Sequence, residues 1–278
     1  MPQSARHNAE RLYPRLEALR ERYNRRAYVC PDPLQFLYEY DDPADREVVG
    51  ILASSLAFGN VTQILKSVTA VLEHLASPAD DVRALRRETL RRRLRGFKHR
   101  YVTGEELADT LYGAGQVMKR YGSLGNCFTA RIEQGDATVL PAMVKFVSEL
   151  RRESGTRSYL VPSPEDGSAC KRLNLYLRWM VRRDDVDPGG WDVPASMLVV
   201  PLDTHLHRLA RALGLTRRRS ADLKAALEVT EAFRTMTPED PVRYDFALTR
   251  LGIRSDTDIQ GFVVGCGCQW PPPTREAI

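Results

Sequence analysis

The chain has 278 residues, of which 43% are hydrophobic and 28% charged, an ordinary globular composition that excludes collagen-like, low-complexity and fully disordered proteins. It holds no apolar run of bilayer-spanning length, and its N-terminal stretch lacks the apolar core of a secretory signal. We therefore expect a cytoplasmic protein that forms either one large domain or two lobes sharing a cleft.

The charge balance is basic, with 35 arginines, six lysines and a net charge of +5 at pH 7. The guanidinium fork of arginine matches phosphate oxygens, although genome base composition produces the same bias without any function. The five cysteines are odd in number and scattered, which argues against a disulfide scaffold. Cys266 and Cys268 are close in sequence, but two ligands do not complete a zinc or iron–sulfur site, so we expect no metal there.

Apolar residues recur at helical spacing along most of the sequence. They predict helices over residues 4–23, 42–75 with a break at Gly59, 105–121, 140–152, 168–181, 203–214, 221–236 and 241–251. Asp203 is a natural N-cap for its helix, and Thr103 with Glu106 has the pattern of a capping box. No stretch alternates apolar and polar residues as a half-buried strand does, so we predict an all-α fold.

The segment 83–100, RALRRETLRRRLRGFKHR, has two interpretations. In the first, Leu85, Leu90 and Leu94 face the core and the arginines are the solvated face of a helix. In the second, the arginines form a surface that contacts phosphates. The sequence alone leaves both open.

Two groups of polar residues have possible chemical roles. Asp203, His205 and His207 form a D-x-H-x-H pattern, but residues two apart on a helix point in different directions. Helix capping by Asp203 is therefore favoured over a metal site. Lys171 lies on the polar side of its predicted helix, where a lysine is ordinarily a solvated surface residue.

Several segments of the sequence, taken together, indicate a chemical role for Lys171. The chain carries KRLNLYLRWMVR from Lys171, VVPLDTHLHRLARALGL around Asp203 and EDPVRYDFALTRLGI further on. Together with DREVVGILASSLAFGNVTQI, these segments resemble a bacterial family related to the archaeal 8-oxoguanine DNA glycosylases called AGOG. Those enzymes belong to the helix-hairpin-helix DNA glycosylase superfamily. The resemblance covers most of the chain and implies a two-lobed helical fold with the active site in the cleft between the lobes.

The resemblance implies that Lys171 is the nucleophile and that Asp203, 32 residues later, is its acidic partner. The residue types suit the reaction, because a lysine amine can attack C1′ of the sugar and form a Schiff base. A carboxylate can stabilise the positively charged sugar and move protons. Loss of a proton from C2′ then eliminates the 3′ phosphate, so such an enzyme is expected to cut the strand as well. No metal or organic cofactor is required.

The same resemblance implies a pocket for a base that has been flipped out of the duplex. Its expected lining residues are Ser54, Ser55, Phe58, Asn60, Gln63, Trp179 and Trp191. The expected contacts with DNA are Arg95, Lys98, Arg100, Arg172 and His205. The chain departs from the superfamily pattern because VPSPEDGSAC stands where an L-P-G-V-G hairpin would grip a phosphate. Like AGOG, it also lacks the iron–sulfur cysteines of some relatives.

The resemblance also implies how the chain is divided. We expect residues 1–43 to form an N-terminal helix and linker that pack with the C-terminal lobe. Residues 44–185 would form the central lobe, residues 186–270 the C-terminal lobe and residues 271–278 a flexible tail. The expected partner is damaged double-stranded DNA, bound by a monomer without membrane contact. The protein would then be cytoplasmic, and associated with the nucleoid when bound to DNA.

The expected function is base-excision repair by a DNA glycosylase with AP lyase activity that removes 8-oxoguanine. Two alternatives stay open. A different damaged base, or RNA, would keep the same chemistry with another substrate. A protein of the same fold that has lost catalysis would only bind nucleic acid. Substitution of Lys171 separates an enzyme from a binding protein.

Overall fold

A computed structural model describes residues 3–155, 159–254 and 256–271 of the chain. These residues are mostly helical, which confirms the predicted fold class at that level. None of the described helices is long and apolar enough to cross a membrane. The expected flexible tail, residues 271–278, lies outside the described residues except for Pro271.

The α-helices are, in chain order, α1 (Gln3–Tyr23), α2 (Pro43–Ser55), α3 (Val61–Leu72), α4 (Pro78–Ala84), α5 (Arg87–Arg93), α6 (Gly104–Tyr121), α7 (Leu124–Thr129), α8 (Leu140–Ser154), α9 (Lys171–Val181), α10 (Thr204–Ala212), α11 (Leu223–Arg234), α12 (Asp245–Ile253) and α13 (Ile259–Gly265). Short 3-10 helices lie at Arg26–Tyr28, Pro33–Glu39, Pro164–Asp166 and Ala195–Met197.

Local sequence signals account for several helix ends. Thr103 and Glu106 form the predicted capping box at the start of α6. Asp203 caps α10 as predicted, and its side chain accepts a hydrogen bond from the Leu206 N–H. α9 differs from the prediction because it begins at Lys171 rather than near residue 168. The hydrophobic pattern does not predict α7 and α13, which are six and seven residues long, because such short helices show little periodicity.

One β-hairpin interrupts the helices and is an addition to the predicted all-α fold. Strand β1 (Lys98–His99) pairs antiparallel with β2 (Val102–Thr103), and Lys98 lies opposite Thr103. Each strand is two residues long, so no alternation of apolar and polar residues reveals it in the sequence. His99 and Val102 are buried, whereas Lys98 and Thr103 are exposed, so the hairpin packs one face against the protein.

The arginine-rich segment 83–100 includes the end of α4, all of α5 and strand β1. Leu90 and Leu94 are buried and Leu85 packs against the core, as the first interpretation predicts. Arg92 and Arg95 remain exposed on the outer side. Their contact with phosphates stays a prediction.

Helix α2 packs closely against α9, and the two run in opposite directions. A Cβ atom at Gly50 would lie 2.9 Å from a ring carbon of Tyr176, so glycine permits this approach. The Tyr176 hydroxyl donates to the backbone carbonyl of Glu47 (3.1 Å). At the other end of the pair, the residues that follow α2 lie beside Lys171. Elsewhere α6 packs against α4, α5 and α8, and α1 packs against α11 and α12.

Six charged residues around the C-terminal end of α9 form what we call the α9 ionic cluster: Arg178, Arg182, Asp184, Asp187, Asp240 and Asp245. Arg178 pairs with Asp187 (3.2 Å) and with Asp245. Arg182 pairs with Asp187, Asp184 (2.8 Å) and Asp240 (2.9 Å). Because both arginines, Asp187 and Asp245 are buried, the cluster ties the end of α9 to the following segment and to α12.

Replacing Arg178 with methionine is expected to lower the free energy of unfolding by about 3–5 kcal/mol, because it leaves the buried carboxyls of Asp187 and Asp245 without this partner. The control is Arg152→Met, since Arg152 is half exposed and pairs with Glu149 at the surface. A change below about 1 kcal/mol is expected for the control. Urea unfolding measures both, and equal small changes would show that the cluster does not stabilise the fold.

Candidate functional site

The residue before α9 has an unusual backbone conformation. Cys170 has φ 49° and ψ 33°, in the left-handed region that residues other than glycine rarely adopt. Its N–H donates to the Ser168 hydroxyl (3.1 Å), and the Asn174 side-chain amide donates to the Ala169 carbonyl (3.0 Å). These bonds hold the turn that places Lys171 at the first position of α9.

Lys171 and Asp203 lie side by side, although 32 residues separate them in the sequence. The Nζ atom of Lys171 is 3.5 Å from Oδ2 of Asp203 and donates to the Ala57 carbonyl (3.3 Å). The other carboxylate oxygen of Asp203, Oδ1, accepts from the Leu206 N–H (2.8 Å), which fixes the side chain at the start of α10. The side chains are 33% and 27% exposed, so both can be reached from outside.

Both residues line an open cavity of about 620 Å³, which we call the lysine cavity. Its walls are the segment after α2 (residues 57–59), the segment before α9 (167–169), the start of α10 (202–205) and the start of α11 (220–222). The cavity therefore lies where four chain segments meet, with an amine and a carboxylate on its surface.

An aromatic pair forms part of the rim. Phe58, which lines the lysine cavity, stacks on Tyr101 at 5.2 Å between ring centroids and 23° between planes. The Arg172 guanidinium lies 5.1 Å from the Phe58 ring centroid. Tyr101 occupies the turn of the hairpin and is 62% exposed, so much of its ring is open to solvent. Sequence reasoning missed Tyr101, since a single exposed tyrosine in an arginine-rich segment carries no periodic signal.

His99 connects this aromatic pair to α3. Its Nε2 lies 3.1 Å from the Phe58 carbonyl and its Nδ1 lies 2.8 Å from the Ser67 hydroxyl. A carbonyl can only accept, so Nε2 donates, and in the neutral ring Nδ1 accepts from Ser67. Burial lowers the pKa of His99, which favours that neutral form. His99 thereby positions Phe58 at the cavity rim.

The tip of the hairpin fits against the break between α2 and α3. Gly59 has φ +94°, and a Cβ atom on it would lie 3.0 Å from a guanidinium nitrogen of Arg100. A side chain at this position would therefore be strained and would push Arg100 away. Arg100 itself has φ 55°, again in the left-handed region. The predicted helix break at Gly59 thus leaves space for the Arg100 side chain at the tip of the hairpin.

A second cavity, of about 380 Å³, adjoins Asp203 between α10, α12 and α13, and we call it the tryptophan cavity. Trp270 forms one wall, and the Arg208 guanidinium lies 4.6 Å from its ring centroid. Asp203 and His205 line both cavities, so Asp203 stands between them.

The predicted base-pocket residues are only partly brought together. Phe58 lines the lysine cavity, whereas Ser54 and Ser55 are buried and do not line it. Asn60 is exposed and caps α3 through a bond to the Thr62 N–H (2.9 Å), and Gln63 is exposed on that helix.

The two predicted tryptophans lie in the core and do not line the lysine cavity, which corrects that part of the prediction. Trp179 is completely buried. Trp191 stacks on Phe128 and donates from Nε1 to the buried Glu47 carboxyl (2.8 Å). Burial raises the pKa of Glu47, while bonds from two backbone N–H groups and from Trp191 lower it. Trp191 therefore donates a hydrogen bond to a buried carboxyl in the core and does not line the lysine cavity.

Of the predicted DNA contacts, His205 lines the lysine cavity and Arg172 contacts Phe58, which also lines it. Arg95, Lys98, Arg100 and His205 are exposed. Arg172 is more enclosed, since its guanidinium donates to the backbone carbonyls of Ser55 (3.1 Å) and Tyr159, and burial lowers its pKa. Arg172 therefore connects the end of α2 to the segment before α9 beside the lysine cavity.

The D-x-H-x-H pattern does not converge. Asp203 faces Lys171, while Nε2 of the buried His207 lies 3.1 Å from the Arg218 carbonyl. Within the described ranges, no group of three His, Cys, Asp or Glu side chains is placed to hold a metal ion.

A model of the family described as a protein of unknown function, DUF2400, matches residues 32–254, and the chain belongs to that family. No curated protein and no solved structure matches the chain.

Replacing Cys170 tests the strained start of α9. Cys170→Gly is expected to be more stable than Cys170→Ala by about 1 kcal/mol, the reverse of the usual order, because glycine adopts the left-handed conformation without strain. Urea unfolding of the two variants measures the difference. Burial raises the pKa of the Cys170 thiol to about 11, so it stays protonated and neither variant should lose a nucleophile. A more stable alanine variant would contradict the strain.

Proposed function

We propose that this chain is a DNA glycosylase with associated AP lyase activity that acts in base-excision repair. The observation that carries the proposal is the distance of 3.5 Å between Lys171 Nζ and Asp203 Oδ2 in an open cavity. An amine that can become a nucleophile and a carboxylate that can take its proton are the two groups this chemistry needs. The choice of 8-oxoguanine as the excised base rests on the resemblance of the surrounding segments to AGOG.

The first step of the proposed reaction exchanges the base for the lysine. Asp203 accepts a proton from the Lys171 ammonium, and the free amine forms a bond to C1′ of the damaged nucleotide while the bond from C1′ to the base breaks. The proton on Asp203 passes to the leaving base. The restored carboxylate then stabilises the positive charge that the exchange leaves on the sugar and the attached lysine nitrogen.

The second step cuts the strand. Opening of the sugar ring gives a Schiff base between Lys171 and C1′. The Asp203 carboxylate then accepts a proton from C2′, the electron pair of that bond forms a double bond to C3′, and the bond from C3′ to oxygen breaks so that the 3′ phosphate leaves. Water hydrolyses the remaining Schiff base and releases Lys171.

The proposed substrate is double-stranded DNA with one nucleotide turned out of the helix into the lysine cavity. The aromatic pair Phe58 and Tyr101 supports this, because exposed aromatic rings stack on nucleobases. Lys98 and Arg100 precede Tyr101 on the same hairpin and are exposed, which suits contact with phosphates.

The proposal includes two lobes of helix-hairpin-helix type around this cleft. It is supported by the order of elements, since a short turn at Pro164–Asp166 leads to the helix that begins with Lys171, and Asp203 caps a later helix. In this arrangement the residues before Cys170 stand in the place of the phosphate-binding hairpin.

Borohydride trapping tests the nucleophile, because borohydride reduces a Schiff base to a stable bond. The full chain should become trapped on a labelled duplex that carries one 8-oxoguanine, and Lys171→Gln should abolish the trapping. Lys119→Gln is the control, since Lys119 is exposed on α6 and does not line the lysine cavity.

The other outcomes of trapping are equally informative. Trapping on an abasic site or another lesion, but not on 8-oxoguanine, would keep the mechanism and change the substrate. Persistent trapping by Lys171→Gln would exclude Lys171 as the nucleophile. An absence of trapping on every duplex would leave a protein that binds nucleic acid without this chemistry.

Asp203→Asn separates the charge of Asp203 from its role as a helix cap, because asparagine caps helices as well as aspartate. The single-turnover rate of base release should fall about 100-fold or more. The free energy of unfolding should change by less than about 1 kcal/mol. Asp42→Asn is the control, since Asp42 caps α2 and does not line the lysine cavity. An equal loss of rate in both variants would contradict a specific role for Asp203.

A further inference from the structure

We propose that Arg217 and Arg219 bind the phosphates of the nucleic-acid strand on the side of the lysine cavity that is formed by the start of α11. This inference rests on the proposed function and assigns a binding surface that neither the predicted DNA contacts nor the chemistry includes. It concerns the segment 214–222, which connects α10 to α11 and which we call the arginine loop.

The arginine loop is held in place by contacts of its own. Arg218 forms two hydrogen bonds to the Asp222 carboxylate (3.0 and 2.7 Å). Its N–H donates to the Thr216 hydroxyl (3.1 Å), which in turn donates to the Glu228 carboxylate (2.6 Å). His207 on α10 is bonded to the Arg218 carbonyl. The backbone around Arg218 is therefore anchored to both flanking helices.

The two neighbours of Arg218 are left unpaired by this arrangement. Arg217 and Arg219 are exposed, and neither has an ion pair or a side-chain hydrogen bond among the residues that the structure describes. Asp222, the nearby carboxylate, is already engaged by Arg218, and that bond helps to lower its pKa to about 2. It therefore does not neutralise the outer two arginines. A fixed loop presents two free guanidiniums, whose fork matches phosphate oxygens.

The position of the arginine loop beside the lysine cavity indicates which class of ligand Arg217 and Arg219 bind. Residues 220–222 line the lysine cavity directly after Arg219. A different wall of that cavity carries Phe58 with the hairpin against it, where Lys98 and Arg100 are also exposed. Free cations thus lie on two sides of a cavity with an aromatic rim. A nucleic-acid strand fits this pattern, because its phosphates continue on both sides of a nucleotide that enters the cavity.

Equilibrium binding of the full chain to a fluorescent duplex with one tetrahydrofuran abasic analogue tests the proposal. The double variant Arg217→Ser/Arg219→Ser should weaken binding about tenfold or more at about 0.1 M salt. It should also reduce the slope of log affinity against log salt by about two, because each lost phosphate contact removes about 0.9 from that slope.

The matched control is Arg22→Ser/Arg25→Ser, which removes the same charge from exposed positions at the end of α1 that do not line the cavity. It should change affinity by less than about twofold, because no strand is expected to contact that surface. The variant Arg217→Lys/Arg219→Lys keeps the charge without the fork and should recover most of the salt slope. That recovery would exclude misfolding as the cause of the serine effect.

The remaining outcomes separate this inference from the proposed function. If the unchanged protein binds the duplex and both serine variants bind equally well or equally poorly, the arginine loop is not the phosphate site. If the unchanged protein neither binds the tetrahydrofuran duplex nor is trapped on a duplex that carries 8-oxoguanine or a natural abasic site, the proposed function fails and this inference fails with it. Borohydride trapping of the Arg217→Ser/Arg219→Ser variant on a saturating concentration of the 8-oxoguanine duplex is expected to persist, since Lys171 and Asp203 are unchanged and only the concentration needed for binding rises.

Discussion

The site depends on the α9 ionic cluster, which fixes the end of α9 remote from Lys171. Arg178 and Arg182 join that end of the helix to the segment after it and to α12. An 11-residue helix is about 16 Å long and stiff, so holding one end sets the position of the other. α2 supports the helix from the side, through the close approach at Gly50. The 3.5 Å between Lys171 and Asp203 therefore depends on packing well beyond the pair itself.

The α9 ionic cluster also interacts electrostatically with Asp203 in the site. Two guanidiniums face four carboxyl groups, so full ionisation would leave an excess of negative charge in a buried region. Burial raises the pKa of Asp245 to about 6 against the opposing effect of Arg178, and the charge of Asp203 adds to the rise. Asp245 and Asp203 are thus electrostatically coupled. The charge of Asp203 therefore contributes to the electrostatics of the cluster that holds α9.

Local signals were sufficient for much of the fold. Helix caps such as Thr103 and Asp203 act over three residues, so the sequence shows them directly. Lys171 and Asp203 were predicted as a pair because the segments around them resemble a known family, and their shared chemical role stays a prediction. Trp191 shows why other assignments failed, since its partner Glu47 lies 144 residues away and nothing near Trp191 reveals it. The hairpin that presents Tyr101 was missed for a related reason: it is too short to have a pattern and depends on packing against Phe58 and Gly59.

Backbone strain is concentrated beside the lysine cavity. Cys170 and Arg100 are the residues other than glycine with positive φ in the described part of the chain. Cys170 precedes the amine, and Arg100 packs on Gly59 at the rim. Left-handed residues persist where surrounding contacts determine the conformation, and they cluster at functional sites. Here the contacts are the Ser168 hydroxyl at one position and the Gly59 turn at the other. Neither conformation lowers the energy of its own segment. The left-handed Cys170 instead sets the position of Lys171 in the lysine cavity, and the left-handed Arg100 sets the position of the aromatic pair at its rim.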